Sequence, residues 1–186
     1  MQLGNSKQSW GAVSQAFHWI IVGLIVVQWL LAESAEELPL GMAKLATLAR
    51  HKSVGMTILG LAVLRLLWRL SNRGPSLPRG MRPWEKLVAR GSHAGLYLCV
   101  FAMPLSGWLM SSAKNFPVSW FGWFQFPDLV QPDPGLFDAL RAAHGVIFNV
   151  LTGLAILHLL GALKHHFYDR DDVLTRMLPF GRRRNT

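Results

Sequence analysis

Four long apolar segments constrain the fold of this chain more than any other feature. They cover approximately residues 14–32, 52–70, 92–110 and 142–163. A helix of about 18 or more mainly apolar residues is long enough to cross ~30 Å of hydrocarbon. Because lipid offers the backbone no hydrogen-bond partner, segments of this length must be helical. The sequence therefore predicts an all-α fold, an integral membrane four-helix bundle that forms a single domain over residues 1–186.

The composition agrees with a membrane protein rather than with an ordinary soluble enzyme. Of the 186 residues, 51% are hydrophobic and only 16% are charged, whereas about a quarter of the residues of an average soluble domain are charged. A single cysteine, Cys99, excludes a disulfide framework and any CxxC metal or redox site.

The distribution of positive charge predicts the orientation of the chain. The net charge is +9, and most of the 19 lysines and arginines lie before the first segment, between the second and third segments, or after the fourth. By the positive-inside rule, both termini of this multi-pass protein are expected to be cytoplasmic. This placement explains the basic character, so no nucleic-acid partner is expected. The residues on this side are Lys7, Arg65, Arg69, Arg73, Arg79, Arg82, Lys86, Arg90, Lys164, Arg170, Arg176, Arg182, Arg183 and Arg184.

Five of the seven histidines lie in or at the ends of the apolar segments, where an ionisable side chain is costly and indicates function. His18 near the start of the first helix and His158 near the end of the fourth share the cytoplasmic depth. His51 and His144 are expected to open the second and fourth helices, so they share the outer depth. His93 is expected to start the third helix on the cytoplasmic side.

The spacing of two of these histidines places them on one face. His144 and His158 are 14 residues apart, which is ~21 Å along a helix with a phase difference of only ~40°. One helix thus offers two imidazoles, and two other helices return one each at the matching depth. Two stacked bis-imidazole sites suit a large flat cofactor bridging helices, because haem iron accepts axial histidines, whereas structural zinc takes four tetrahedral ligands.

Neighbouring residues fit this arrangement, with one ambiguity. His93 is an alternative to His18 as the partner of His158, and otherwise it contacts a haem propionate or a quinone. Arg65, 14 residues after His51, is expected to meet a propionate or to extend to the inner surface. Gly55 and Gly107 are expected either to let a porphyrin approach closely or to form helix contacts.

Several stretches resemble the bacterial cytochrome b561 family, which is related to the cytochrome b subunits of hydrogenases and formate dehydrogenases. They are FHWIIV at residues 17–22, RHKSVGMTILGLAVLRLLWRL at residues 50–70, GSHAGLYLCVFAMPLSGWLM at residues 91–110 and LKHHFYDRDDVLTRMLP at residues 163–179. The resemblance covers nearly the whole chain. It implies two haem b groups whose iron is held by His18 with His158 and by His51 with His144. These pairs agree with the depth of the histidines in the membrane.

The resemblance also suggests an activity. Superoxide oxidases of this family oxidise superoxide at the periplasmic face and pass the electrons to ubiquinone, so this chain is expected to be a superoxide:ubiquinone oxidoreductase. The alternative is a haem-bearing anchor that transfers electrons for a periplasmic dehydrogenase or hydrogenase. A histidine-based transporter or metal channel without haem is a third possibility, which the colour of the protein would decide.

Charged residues on the outer side give an independent indication of an anionic substrate. Arg50 and Lys52 flank His51, and Arg141 precedes His144 by one turn, on a face that is otherwise slightly acidic. A local positive potential of this kind steers a small anion such as superoxide towards the site, although the same residues also suit haem propionates. At the cytoplasmic end, His165 and His93 are candidates for quinone binding or proton relay, because histidine titrates near neutral pH.

Overall fold

A computed structural model of the chain describes residues 2–6, 8–78 and 80–179. Lys7, Arg79 and the arginines at positions 182–184, which contribute to the charge pattern above, lie outside these ranges. The elements are helices α1 (Ala12–Glu37), α2 (Met42–Ser71), α3 (Pro83–Ala113) and α4 (Pro134–Phe167), strands β1 (Val118–Trp120) and β2 (Phe124–Phe126), and a short 3₁₀ helix at Thr175–Met177. All four α-helices are long and apolar enough to cross a membrane, which confirms the predicted all-α membrane fold.

Each helix extends beyond the apolar segment that it contains. Helix α2, for example, has 30 residues and is therefore about 45 Å long, more than the thickness of a hydrocarbon core. The expectation that His51, His93 and His144 stand at helix starts is therefore wrong, since all three lie inside helices α2, α3 and α4. Hydropathy locates only the lipid-buried part of a helix, and the polar turns that continue it into the interface escape that criterion.

Local capping explains where two of the helices begin. Pro83 opens α3, a position where its missing N–H costs nothing, and the Arg82 N–H donates to Glu85 Oε2 at 2.8 Å in the manner of a capping box. At the start of α4, Asp133 Oδ1 accepts the Leu136 N–H at 3.0 Å, and Pro134 again takes the first helical position.

The chain forms two compact units, each built from pieces of all four helices. The first comprises the described residues of Met1–Ile20, Val63–Leu98 and Leu151–Thr186. Within it, the segment after α4 is fastened to α1, because Trp19 Nε1 donates to the Met177 carbonyl at 2.8 Å and Gln15 Nε2 donates to the Arg176 carbonyl at 3.0 Å. Trp68 Nε1 links α2 to α1 by donating to Ser14 Oγ at 3.1 Å.

The second unit comprises Ile21–Ala62 and Cys99–Val150 and includes the β1–β2 hairpin. The buried Ser53 hydroxyl fastens this hairpin to α2: it lies 2.9 Å from the Ser119 carbonyl and accepts the Phe121 N–H at 3.1 Å. Trp120 Nε1 adds a hydrogen bond to Thr57 Oγ1 at 3.0 Å. Phe121 and Gly122 both have positive φ, 49° and 79°, as a tight hairpin turn of the primed type requires. The hairpin is thereby held against the stretch of α2 that directly follows His51.

Candidate functional site

Three histidines from three helices meet in the first unit. His158 of α4 lies beside His18 of α1, with ring centroids 6.3 Å apart, and beside His93 of α3, with ring centroids 5.1 Å apart. His18 and His158 are half-buried, whereas His93 is exposed. The structure therefore brings together the residues that sequence analysis assigned to the cytoplasmic depth, including both candidate partners of His158.

Two arginines and a tyrosine stand next to this cluster. Arg65 Nη2 lies 3.3 Å from His18 Nδ1, and the guanidinium groups of Arg65 and Arg69 lie 5.4 Å and 5.0 Å from the centre of the Tyr97 ring. Within the described residues, neither arginine forms an ion pair with a carboxylate. Unpaired positive charge in a membrane helix is costly, so the first unit is suited to an anionic group beside the histidines.

The second unit holds the other two histidines. His144 of α4 and His51 of α2 are close enough to interact electrostatically. His144 Nδ1 lies 2.8 Å from Ser106 Oγ, and that hydroxyl donates to the Met103 carbonyl at 2.8 Å. Because the serine proton is directed to the carbonyl, the serine oxygen can accept the Nδ1–H of His144, which leaves Nε2 available as a ligand. Hydrogen bonds of this kind orient metal-binding histidines.

His51 has a different environment. Its Nδ1 is buried and makes no hydrogen bond of good geometry within the described residues, and the same is true of the neighbouring Gln28 Oε1. Gln28 Nε2 donates to the backbone carbonyl of His51 at 2.9 Å and lies over Gly55, where an added Cβ would come within 3.0 Å of it. An unpartnered buried imidazole nitrogen costs about 1–3 kcal/mol, so this ring is incompletely satisfied by the protein alone.

The absence of a side chain at Gly107 leaves space for the imidazole of His144. A Cβ at this position would lie 3.3 Å from Cε1 and 3.7 Å from Nδ1 of His144. Of the two roles expected for Gly107, this contact supports helix packing, because the absent side chain admits the imidazole of the facing helix. The neighbouring Ser106 binds the same ring, so two successive residues of α3 determine where His144 lies.

The basic residues expected on the outer side differ in their exposure to solvent. Arg50 and Arg141 are exposed. Lys52 is half-buried, and its Nζ lies 3.4 Å from the Pro117 carbonyl and 5.5 Å from the centre of the Phe116 ring. Lys52 is thus engaged with the segment that leads into the hairpin, whereas both arginines can present their charge to solvent.

These two clusters fit haem in their donor chemistry. Haem iron takes neutral imidazole as an axial ligand, and each cluster supplies histidines from separate helices. A metal between two facing imidazoles places their ring centres about 6 Å apart, given histidine–metal bonds of about 2 Å. The 6.3 Å between His18 and His158 matches this value, and the 5.1 Å between His93 and His158 is shorter. Arg65 lies beside His18 and Arg69 shares the Tyr97 ring with it, and their positive charge suits a cofactor with anionic propionates.

Comparison with known proteins identifies the family. The family model described as prokaryotic cytochrome b561 matches residues 9–180, which is nearly the whole chain. The chain belongs to the prokaryotic cytochrome b561 family. It is 35% identical to cytochrome b561 homolog 2 of Escherichia coli over 96% of this chain and 95% of the relative. It is also 30% identical to the probable superoxide oxidase CybB of Yersinia pestis, over 87% of this chain and 91% of the relative.

A more distant relative also has a cytochrome b561 name: the chain is 24% identical to cytochrome b561 homolog 1 of Escherichia coli over 87% of its length. Membership in the cytochrome b561 family establishes a multi-pass inner-membrane protein that functions in electron transfer and binds haem b. The resemblance predicted from the sequence is therefore confirmed.

Three side chains around the histidines of this cytochrome b561 protein were not predicted from the sequence. They are Gln28, Tyr97 and Ser106. Each contacts a histidine or an arginine that belongs to a different helix from its own. Ser106 and Tyr97 lie on the same helix as His93, but they contact residues of other helices. Helical spacing within one segment carries no information about such contacts.

Proposed function

We propose that the protein is a di-haem b cytochrome that oxidises superoxide at the periplasmic face of the inner membrane and reduces ubiquinone. The observation that carries the proposal is the presence of two separate histidine clusters, one in each unit. Each cluster joins histidines from different helices, as axial ligation requires. When bound, the two haems supply one-electron carriers that connect the outer donor with the quinone.

In this proposal, His18 with His158 and His51 with His144 are the axial ligand pairs. The ring separation of 6.3 Å supports His18 over His93 as the partner of His158, because an intervening metal needs that space. The serine-bound Nδ1 of His144 supports ligation through its opposite ring nitrogen, whereas Nδ1 of His51 has no such partner. Arg65, which lies beside His18, would bind a haem propionate, and Ser106 fixes the ring of His144.

Superoxide is proposed as the donor because of the positive charge near His51 and His144. Arg50 and Arg141 are exposed and offer a local positive potential to a small anion. Lys52 adds charge close by, although its ammonium group also binds the Pro117 carbonyl. The similarity to a relative named probable superoxide oxidase supports the same donor.

The quinone is proposed to bind near His165, at the C-terminal end of α4. This imidazole stands one heptad after His158 on α4, and its side chain is only 12% exposed. His165 donates a proton to the quinone in this proposal, and His93, next to His158, is the second candidate for contact with the quinone or for proton relay.

The experiment supplies enzymatically generated superoxide and a ubiquinone analogue to the purified haem-loaded protein, and it follows haem reduction and quinol formation. Quinol is expected to appear in proportion to superoxide. Arg50→Glu is expected to slow superoxide-driven haem reduction by about three- to tenfold at low salt and to weaken its salt dependence, because exposed charges steer small anions.

Lys44→Glu is the matched control, since it makes the same charge change on the same helix about 9 Å from Arg50. Its effect is expected to be smaller. An Arg50→Glu rate and salt dependence equal to those of the wild type would exclude steering by this residue. Absence of superoxide-dependent quinol, together with co-purification of a large periplasmic subunit, would instead favour an electron-transfer anchor.

A further inference from the structure

A compact network of charged groups surrounds His165 at the end of α4. His165 Nδ1 lies 2.7 Å from Asp171 Oδ2 and 3.1 Å from Asp169 Oδ2. The His165 side chain is 12% exposed, whereas those of Asp171 and Asp169 are 23% and 27% exposed. The carboxylates are therefore more accessible to water than the imidazole is, and both lie close to the same ring nitrogen.

The chain reverses to bring these carboxylates back onto the helix. Beyond the end of α4, Arg170 has φ of 55°, a left-handed conformation, and the Asp171 N–H then donates to the His165 carbonyl at 3.1 Å. Asp171 uses its other carboxylate oxygen, Oδ1, to accept the Val173 N–H at 3.0 Å. One oxygen of Asp171 thus supports the turn, while the other is reserved for His165.

The network continues to a second helix. Lys164 Nζ lies 2.9 Å from Asp169 Oδ2 and 2.6 Å from Glu85 Oε1 of α3. The charged groups that face His165 are therefore Asp169 and Asp171, with Lys164 and Glu85 behind Asp169. Asp169 shares its Oδ2 between Lys164 and His165, whereas Asp171 Oδ2 lies closer to His165 Nδ1. Asp171 is therefore the carboxylate most directly engaged with His165.

We propose that Asp171 carries protons from cytoplasmic water to His165 during quinone reduction. This inference rests on the proposed reduction of quinone at His165. In the reaction, two superoxide ions each give up one electron and leave as two oxygen molecules. The two electrons and two protons convert one quinone into one quinol. For each proton, His165 gives the quinone oxygen the proton on Nε2 while its Nδ1 takes a proton from Asp171, and Asp171 then takes a proton from cytoplasmic water. The imidazole ring rotates between the two transfers, so that the nitrogen protonated by Asp171 faces the quinone for the second transfer. Imidazole suits this role because it accepts and donates protons near neutral pH.

Asp171→Asn in the haem-loaded protein tests the relay. Asparagine keeps an oxygen for the Val173 N–H but cannot carry a proton to His165. Quinol formation is expected to fall about tenfold or more, because positioned proton transfer contributes at least that much. The solvent deuterium isotope effect is expected to rise, and the rate is expected to fall more steeply as the pH rises, because protons must then reach His165 directly from water. Asp171→Glu is expected to restore much of the rate.

Asp172→Asn is the matched control, because the neighbouring Asp172 pairs with Arg176 at 2.6 Å and makes no contact with His165. It should keep the wild-type rate and isotope effect. Haem content and haem reduction in the absence of quinone should be unchanged in all these variants. If the wild-type protein forms quinol, and Asp171→Asn has the same isotope effect and pH profile as the wild type, the relay alone would be overturned. Failure of the wild type itself to form quinol would overturn the proposed function and the relay with it.

Discussion

His158→Ala is expected to lose one of the two haems, and His51→Ala is expected to lose the other. The two histidines belong to separate clusters in separate units, so each substitution removes one axial ligand and leaves the other ligand pair complete. The measurement is the haem content of the purified variant per polypeptide, together with the spectrum of the reduced protein. Each variant should retain about half of the wild-type haem absorbance.

His166→Ala is the control, because His166 lies on the same helix as His158 and its ring contacts Phe167. It should retain both haems. If one substitution prevents assembly and removes both haems, imidazole added during haem loading should restore the missing ligand and the second haem. Retention of both haems in His158→Ala or in His51→Ala would contradict the ligand assignment.

Gly107→Leu is expected to remove the haem held by His51 and His144 while the haem at His18 and His158 remains. Even a Cβ at position 107 would approach Cε1 of His144 to 3.3 Å, so a leucine side chain must displace the imidazole or push α3 away from α4. Either change moves His144 out of the position that Ser106 fixes. Haem content and the reduced spectrum should show the loss of one haem only.

Gly60→Leu is the matched control for this substitution. It is also a helical glycine of the second unit, but nothing lies within 4 Å of a Cβ at that position. The variant should retain both haems and should be purified with the wild-type yield. A Gly107→Leu protein with two haems would show that the packing of this glycine against His144 does not determine ligation.

The fold could be predicted from the sequence because lipid imposes a simple rule. Four apolar segments of sufficient length must be helices, and the four observed helices contain them. The helix ends could not be predicted in this way, since the additional turns are polar and depend on local caps such as Asp133 and the Arg82–Glu85 pair. Strands of three residues, such as β1 and β2, are too short to produce a recognisable alternation.

The site was only partly predictable for a related reason. Periodicity along α4 places His144 and His158 on one face. The structure brings His158 beside His18 and His93, and it brings His144 close enough to His51 to interact electrostatically. The contacts of Ser106 with His144 and of Tyr97 with Arg65 depend on the rotation of one helix against another, which no single segment records. Asp171 reaches His165 only because the chain reverses at Arg170, an arginine in a conformation that usually favours glycine.

The most direct test of the central claim is the number of haems per polypeptide in the purified protein after expression with ample haem supply. Two b-type haems are expected, one for each histidine cluster. A protein that binds one haem or none under these conditions would contradict the assignment of both clusters as haem sites.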